Sequence, residues 1–185
     1  MKVFKGKRSK VYCIFNLAIK IERKDSNAIN RIKNEAKVLK IINNHNIGPR
    51  LFFKGDSFIV MEYIKGERIL DFIKHASDSE KLSITQEILN QCRTLDKLHY
   101  DKFEMHHPTK HILIKKNKEV VMIDFERCKY SSNPKNLTQF IQFLPRLGFT
   151  FNNKQVLKKY KKAQSDENYQ KILGYFTENL LNRKD

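Results

Sequence analysis

Residues 120–126 read Val-Val-Met-Ile-Asp-Phe-Glu, four apolar residues followed by an acid, a phenylalanine and a second acid. A short apolar run that contains β-branched residues is typical of a buried strand. An aspartate after such a strand is more often a turn residue or a helix cap. If a lysine–glutamate pair lies nearby, Asp124 becomes a candidate ligand for Mg²⁺, because hard cations take carboxylate oxygens alongside phosphate oxygens.

The lysine of such a pair ends the segment Leu17-Ala-Ile-Lys20. This segment reads as a strand, on which Ala18 and Lys20 point to the same face. A lone lysine on a strand is usually a solvated edge residue. The importance of Lys20 therefore depends on whether the chain supplies a buried acid as its partner.

Glu35 is the predicted partner. Residues 26–43 read as a helix with Ser26 as its N-cap. The apolar stripe of this helix is formed by Ala28, Ile32, Glu35, Leu39 and Ile42. Because burying an unpaired carboxylate costs several kcal/mol, the acid within the stripe should be paired or face a cleft. We predict a Lys20–Glu35 ion pair; the alternative is an amphipathic helix whose register is misplaced.

The changes of sequence period along the chain predict an α+β fold with two lobes. Residues 1–62 are predicted to form an antiparallel-sheet lobe and residues 63–66 a hinge. Residues 67–185 would complete the single domain, 1–185, as a reduced helical lobe. The predicted strands cover 11–22, with a turn at Asn16, 51–54, 57–62, 112–114 and 120–123. The predicted helices cover 26–43, 67–75 and 80–99, with two or three more after Pro134, whose clearest stripe is Leu137, Phe140, Ile141, Leu144 and Leu147.

This order of parts resembles the protein-kinase fold. Leu-Ala-Ile-Lys20 resembles the family's V-A-I-K, and Ile-Asp124-Phe resembles the start of its D-F-G. The absence of a large C-terminal helical region is similar to the RIO-type and lipopolysaccharide-kinase-like branches. Residues 104–140, which include HHPTKHILI, VVMIDFERC and NPKNLTQF, resemble a group of small archaeal predicted serine/threonine kinases.

The resemblance implies an enzyme that uses ATP and Mg²⁺. It implies that Lys20 contacts the phosphates, that Glu35 positions Lys20 and that Asp124 holds the metal ion. Residues 61–63 (Met-Glu-Tyr) lie where kinases place the hinge whose backbone binds adenine. The other residues assigned to the nucleotide site are Ala18, Glu62, Tyr63 and Gly6.

The glycine-rich loop expected of a kinase is reduced in this chain. Residues 5–10 read Lys-Gly-Lys-Arg-Ser-Lys and offer only Gly6, where several glycines would let backbone N–H groups reach phosphates. The basic side chains that could hold phosphates instead are those of Lys5, Lys7, Arg8 and Lys10. A solvated turn is the alternative.

The catalytic loop departs further, because no aspartate stands in the position of the kinase H-R-D motif. One alignment puts His106 at the aspartate position and His111 at the metal-binding asparagine position. The archaeal resemblance instead makes Glu104 the acidic residue, with Lys110 and His111 closing the loop. A histidine can accept a proton near neutral pH, and a glutamate can orient a hydroxyl. The alternatives are polar loop residues without a role, or a zinc site formed by His106, His107 and His111.

The glycine of D-F-G is replaced by Glu126. Glycine permits backbone angles that a glutamate resists. We therefore expect this loop to be fixed rather than switchable. No A-P-E segment follows, so control through phosphorylation of an activation loop is not expected.

The composition limits the environment and the partners. The hydrophobic fraction of 40% excludes a disordered chain, and 37 Lys and Arg against 20 Asp and Glu give a net charge of +17. Such a charge attracts polyanions, although a general lysine bias explains it equally well. Three scattered cysteines indicate reduced thiols, and no apolar run approaches the roughly 18 residues of a membrane span. We expect a cytoplasmic protein without a membrane partner.

The sequence thus predicts an atypical ATP- and Mg²⁺-dependent kinase. It would transfer a phosphoryl group to a hydroxyl, that of Ser or Thr in a protein or that of a small molecule. The alternative is a pseudokinase scaffold that binds RNA, or an RNA-associated complex, through its basic surface.

Overall fold

A computed structural model describes residues 1–6, 8–23 and 30–181 and divides the chain into two compact units. Residues 1–69 and 110–129 form the first unit, and residues 70–109 and 130–185 the second. The chain therefore changes unit three times rather than once near the predicted hinge, because residues 112–115 pair with residues 66–68 of the first unit. The assignment of residues 1–185 to one domain stays a prediction.

The first unit contains an antiparallel sheet of five strands in the order β1-β2-β3-β5-β4. The turn predicted at Asn16 is confirmed, since Ile14 lies opposite Leu17 in the register. The first strand was not predicted, because its residues are exposed and carry no core signal. The strands are β1 Lys2–Lys5, β2 Ser9–Ile14, β3 Leu17–Glu22, β4 Leu51–Lys54 and β5 Phe58–Glu62.

Helix α1, Arg31–Ile42, packs on this sheet. The predicted stripe is confirmed where it is described, because Ile32, Glu35, Leu39 and Ile42 are all buried. Ser26, Ala28 and the predicted start of the helix lie outside the described residues, as does Lys7.

A second small sheet follows the hinge and corrects one prediction. Residues 66–68 form a strand rather than the start of the helix predicted over 67–75, and the helix begins at Ile69. Gly66 pairs with Lys115 so closely that a Cβ at Gly66 would lie 2.9 Å from the Ile114 carbonyl oxygen. This pairing between distant segments leaves no local signal. The three strands are β6 Gly66–Arg68, β8 Ile112–Lys115 and β9 Val120–Met122.

The second unit is mainly helical, as predicted. Ser77 and Glu80 form a reciprocal capping box at the start of α3. The predicted stripe of five apolar residues after Pro134 is buried. The helices are α2 Ile69–Ile73, α3 Asp78–Lys97, α4 Asn136–Phe143, α5 Lys154–Lys162 and α6 Asp166–Leu181, and the remaining two-residue strands are β7 Tyr100–Asp101 and β10 Lys129–Tyr130. Within the described residues, none of the helices has the length and apolar character needed to cross a bilayer.

Asp96 joins three helices of this unit. Its buried carboxylate accepts hydrogen bonds from the Asn136 backbone N–H at 3.0 Å and from the Asn136 side chain at 2.8 Å. It also accepts bonds from the Leu137 N–H at 3.3 Å and the Tyr160 hydroxyl at 2.9 Å. Burial raises the pKa of Asp96 to about 6, while the bonds from Asn136 and Tyr160 oppose the rise. The carboxylate thus replaces solvent for donors at the start of α4 and on α5.

Asp96→Ala should lower the free energy of unfolding by about 2–5 kcal/mol, because it leaves several buried donors without an acceptor. Urea denaturation measures the change. Asp71→Ala is the matched control: Asp71 is 52% exposed and pairs with a surface lysine, Lys74, so its loss should stay below about 1 kcal/mol. Equal losses in the two variants would contradict this role of Asp96.

Candidate functional site

Lys20 lies at the centre of a cluster of three carboxylates in the first unit. Its Nζ is 2.6 Å from Glu35 Oε2, 3.1 Å from Asp124 Oδ1 and 3.3 Å from Glu126 Oε2. The side chains of Lys20 and Glu35 are only 7% and 1% exposed. The predicted Lys20–Glu35 ion pair is therefore confirmed.

The local structure explains why these groups meet. In β3, Lys20 lies between Val11 of β2 and Ile59 of β5, on the face of the sheet that also carries Ala18. The second oxygen of Glu35 accepts a hydrogen bond from the Phe125 N–H at 3.1 Å. Glu35 thereby fixes both the lysine and the backbone after Asp124.

A second side chain of α1 holds the same segment. The Asn34 side chain donates to the carbonyl oxygens of Glu126 and Cys128, at 3.1 and 2.8 Å. Since Asn34 and Glu35 are neighbours on one helix, α1 determines the position of residues 124–128.

Burial and the neighbouring charges shift the pKa values of Lys20 and Glu35 in opposite directions. Burial by itself would lower the pKa of Lys20, but the carboxylates of Glu35 and Asp124 outweigh it and the pKa is raised. Burial raises the pKa of Glu35, and the ammonium of Lys20 opposes that rise. Lys20 is therefore a permanent cation at neutral pH.

The loop after β9 accommodates Glu126 at the position where D-F-G has its glycine, and the expectation that this loop is fixed stays a prediction. The left-handed backbone conformation occurs at Asp124, with a φ of 64°, and not at Glu126. Aspartate is among the residues that tolerate this region best, so a glutamate two residues later is accommodated without glycine. Glu126 instead uses its side chain, which contacts Lys20 and also Arg8, at 3.4 Å.

Glu126 is a site residue that sequence reasoning missed, although the second acid after Asp124 was the available signal. Carboxylate oxygens of Glu35, Asp124 and Glu126 lie within 4.8 Å of one another, close enough to share a cation. Among the described residues, these three are the ones whose ligand atoms are spaced closely enough to hold a metal ion, and none of them is a histidine. The structure therefore gives no support to the zinc alternative.

A cavity of about 490 Å³ opens beside the cluster, entirely within the first unit. Its wall contains both ionic and apolar side chains. All the residues assigned to the nucleotide site from sequence contribute to it: Gly6, Ala18, Lys20, Glu35, Glu62, Tyr63 and Asp124. Further lining residues include Lys5, Met61, Ile64, Arg68, Lys110, Leu113 and Ile123.

The hinge differs in detail from the prediction. The N–H groups of Glu62 and Tyr63 donate to the carbonyl oxygens of Arg50 and Asn16, both at 2.8 Å. Ile64 is buried and lines the cavity, and its N–H donates to no residue within 1–6, 8–23 and 30–181. The amide that remains for a cavity ligand is therefore that of Ile64.

Two solved structures share this architecture. WbdD, crystallised with the kinase inhibitor LY294002, superposes with a TM-score of 0.62 at 18% identity, over 94% of this chain and 44% of its own. APH(2″)-IIa, in its complex with gentamicin, gives a TM-score of 0.58 at 14% identity, over 93% of this chain and 88% of its own.

The chain has a protein-kinase-like fold. The α+β kinase-like fold expected from the sequence is confirmed. The chain spans less than half the length of WbdD, 44%. No protein-family model and no curated protein matches the sequence.

Two predicted residues of this kinase-like chain lie at the entrance to β8. Lys110 is exposed and lines the cavity. His111 Nε2 is 3.8 Å from Asp124 Oδ2, and the His111 carbonyl accepts from the Ile123 N–H at 2.8 Å. His111 thus lies beside Asp124 but outside the compact carboxylate cluster.

Glu104 and His106 belong to the second unit. Phe103 and Glu104 both have a φ of 60°, and consecutive non-glycine residues in this region are uncommon. The turn is held by the Met105 N–H, which donates to Gln139 Oε1 at 3.1 Å, and by the His107 N–H, which donates to the Glu104 carbonyl at 2.9 Å. Glu104 is half-buried and His106 exposed; their roles stay predictions.

Lys20→Met should lower the free energy of unfolding by about 3–5 kcal/mol at neutral pH, because it leaves a buried carboxylate without its counter-charge. Burial raises the pKa of Glu35 and Lys20 opposes that rise, so removing Lys20 should raise this pKa further and let the folded variant bind a proton at Glu35 as the pH falls. The loss should therefore shrink as the pH falls. Urea denaturation over a pH series measures both effects.

Lys10→Met provides the control, since Lys10 is an exposed lysine on the neighbouring strand β2. It should change the unfolding free energy by less than about 0.5 kcal/mol. If the two variants lose the same amount at neutral pH, Lys20 does not neutralise Glu35 in solution.

Proposed function

We propose that the chain binds ATP together with Mg²⁺ and transfers the γ-phosphoryl group to a hydroxyl. The observation that carries this proposal is the buried lysine of β3, held 2.6 Å from Glu35 and 3.1 Å from Asp124 in the wall of the cavity. A desolvated, fixed ammonium is a costly feature that a phosphate-binding site requires. The kinase inhibitor bound by WbdD, a protein of the same fold, supports the same interpretation.

The cavity suits a nucleotide in its volume and in the arrangement of apolar and polar groups along its wall. About 490 Å³ lies within the range of small-molecule sites. The apolar side chains that would enclose the base include Ala18, Met61, Leu113 and Ile123. The Ile64 amide supplies a hydrogen-bond donor next to them. We infer that the base lies against this wall.

Cationic side chains would receive the phosphates. Lys20, Arg68 and Lys110 line the cavity, and Lys5 lines it from the segment that replaces the glycine-rich loop. The Gly6 N–H donates to the Ser9 carbonyl at 2.9 Å, so this turn uses its amide internally. Phosphate binding would therefore rest on side-chain charge rather than on a cradle of backbone amides.

Asp124 and Glu126 are the residues that fit Mg²⁺. Glu35 is committed to Lys20 and to the Phe125 N–H, whereas the Asp124 side chain is 39% exposed and lines the cavity. Carboxylate oxygens are the ligands that this hard cation prefers, and such an ion neutralises phosphate charge during phosphoryl transfer. In this proposal Lys20 and Glu35 orient the nucleotide, and Asp124 and Glu126 hold the ion.

The proton of the acceptor hydroxyl requires a base, and we assign this role to Glu104. It is an acid, and the archaeal resemblance aligns it with the missing aspartate. Glu104 has a positive φ, a conformation that a non-glycine residue keeps only where surrounding contacts hold it. Such residues are common in functional loops. His106 is the competing residue from the other alignment.

Asp124→Asn should abolish the dependence of ATP affinity on Mg²⁺, because it keeps the size of the side chain and removes its charge. Calorimetric titration of ATP with and without Mg²⁺ measures this. Glu126→Gln should weaken the dependence in the same direction. Asp56→Asn, in an exposed turn of the same unit, is the control and should respond to Mg²⁺ like the parent.

Two outcomes would contradict parts of this proposal. If Asp124→Asn responds to Mg²⁺ like the parent, Asp124 is only a turn residue. If Glu126→Gln matches the Asp56→Asn control, Glu126 only holds Lys20 and Arg8. A parent protein that does not bind ATP at all overturns the nucleotide site itself.

Glu104→Gln should reduce phosphoryl transfer by about 10²–10⁴, the usual contribution of a general base, and leave ATP binding nearly intact. ATP turnover or autophosphorylation measures the rate, and His106→Ala should have a much smaller effect. If His106→Ala is the inactive variant, the alignment is off by two residues. If neither change matters in an ATP-binding protein, the loop transfers no proton and the RNA-binding alternative gains.

A further inference from the structure

Helix α5 carries the densest positive charge of the second unit. Its sequence, KQVLKKYKK, contains five lysines in nine residues and no acid. Lys154, Lys158, Lys161 and Lys162 are all exposed and fall within one side of the helix at 100° per residue. We call these four residues the lysine face. The opposite side is packed into the unit, through the fully buried Tyr160.

Among the residues that the structure describes, no carboxylate neutralises the lysine face. Other lysines of this unit have acids three or four residues away, as Lys74 has Asp71, Lys81 has Asp78 and Lys171 has Glu167. In the described part of the chain, no carboxylate is within ion-pair distance of any residue of the lysine face. The hydrogen bond and charge of Lys171 lower the pKa of Glu167, and Lys159, on the edge of α5, adds a smaller effect in the same direction.

This arrangement costs the helix stability. Lys154 and Lys158, and Lys158 and Lys162, are like charges four residues apart, which destabilise a helix. The helix dipole favours cations in the last turn, which accounts for Lys161 and Lys162. It does not account for Lys154, which is the first residue of the helix and opposes the dipole. A partner that supplies negative charge would remove the repulsion.

The chemistry of the face distinguishes between classes of polyanion. The face has no exposed apolar or aromatic residue that could enter a bilayer, because Tyr160 is buried and Val156 and Leu157 are half-buried on other sides of α5. Protein interfaces are enriched in aromatic residues and arginine and depleted in lysine. Lysine without arginine or aromatic side chains suits contacts to phosphates that carry no sequence information.

We propose that the lysine face of α5 binds the phosphate backbone of a nucleic acid without reading its sequence. Lys154, Lys158 and Lys162 are four residues apart and therefore rise by about 6 Å per step along the helix. A regular row of ammonium groups matches a ligand with regularly spaced phosphates. This surface does not depend on the proposed ATP site, since all of its residues lie in the second unit.

The test compares two variants of equal charge. One replaces Lys154, Lys158 and Lys162 by glutamine; the other replaces the paired lysines Lys74, Lys81 and Lys171 by glutamine. Binding of a labelled oligouridylate of about 20 nucleotides is measured by anisotropy over a series of salt concentrations, without ATP. The slope of log K against log salt concentration is negative, and its magnitude should decrease by about 2 in the first variant. Each phosphate contact to a single strand contributes about 0.7, and the variant removes three lysines. The second variant should keep nearly the slope of the parent.

Two further measurements complete the test. The melting temperature of the first variant should equal or exceed that of the parent, because like-charge repulsion in α5 is relieved. Vesicles of phosphatidylcholine and phosphatidylglycerol in equal amounts should bind the parent and the first variant alike.

Three results would overturn the proposal. Equal loss of slope in the two variants would mean that the net charge of the whole chain attracts RNA. A parent that does not bind the oligonucleotide at low salt would mean that the face is only solvated. Vesicle binding that depends on Lys154, Lys158 and Lys162 would assign the face to anionic lipid instead.

Discussion

The structure of the first unit depends on one constraint, which is that the carboxylate of Glu35 is buried and must be compensated. Two groups meet this requirement, the ammonium of Lys20 and the backbone N–H of Phe125. They come from β3 and from the loop after β9, so one buried charge fixes a strand, a helix and a loop. Losing either partner would leave an interior carboxylate whose desolvation is not repaid. The same constraint explains why a lysine on a strand, ordinarily a solvated residue, is here only 7% exposed.

The balance of charge around Lys20 is equally informative. Three carboxylates surround one buried ammonium, with Arg8 as a second cation at 3.4 Å from Glu126. Because each carboxylate oxygen of Glu35 already accepts from a donor, the remaining negative charge is concentrated on Asp124 and Glu126. Asp124 lines a cavity whose other walls carry Arg68 and Lys110. Under the proposed function, the acids of this site would bind a cation and its basic side chains would receive phosphates. This separation is what phosphoryl transfer requires of a protein, since its catalysis is largely positioning and charge neutralisation.

Two different kinds of basic site occur in this chain, whose net charge is +17. In the first unit, the buried lysine is compensated by fixed acids, and its charge is directed toward a cavity. On α5, the lysine face is exposed and has no compensating acid among the described residues, so its interactions with a partner would be screened by salt. The basic composition therefore includes two separate features, the buried Lys20 cluster and the lysine face of α5. Of these two, the lysine face is the one that resembles a surface for a polyanion.

The sequence by itself determined the parts whose signals are local. Within the apolar stripe of α1, Glu35 stood out as an acid that had to be buried. The hairpin around Asn16 followed from strand propensity and turn chemistry. The helical stripe after Pro134 followed from the spacing of its apolar residues. Tertiary structure decided what depends on contacts between distant segments. The pairing of β6 with β8 turned the start of a predicted helix into a strand, and the hydrogen bonds of Glu62 and Tyr63 left the Ile64 amide for the cavity. Glu126 became part of the site because Asp124, rather than residue 126, takes the left-handed conformation. Periodicity reports which face of an element is buried, but the partner of a buried group and the donor left over by a sheet are determined only when the chain has folded.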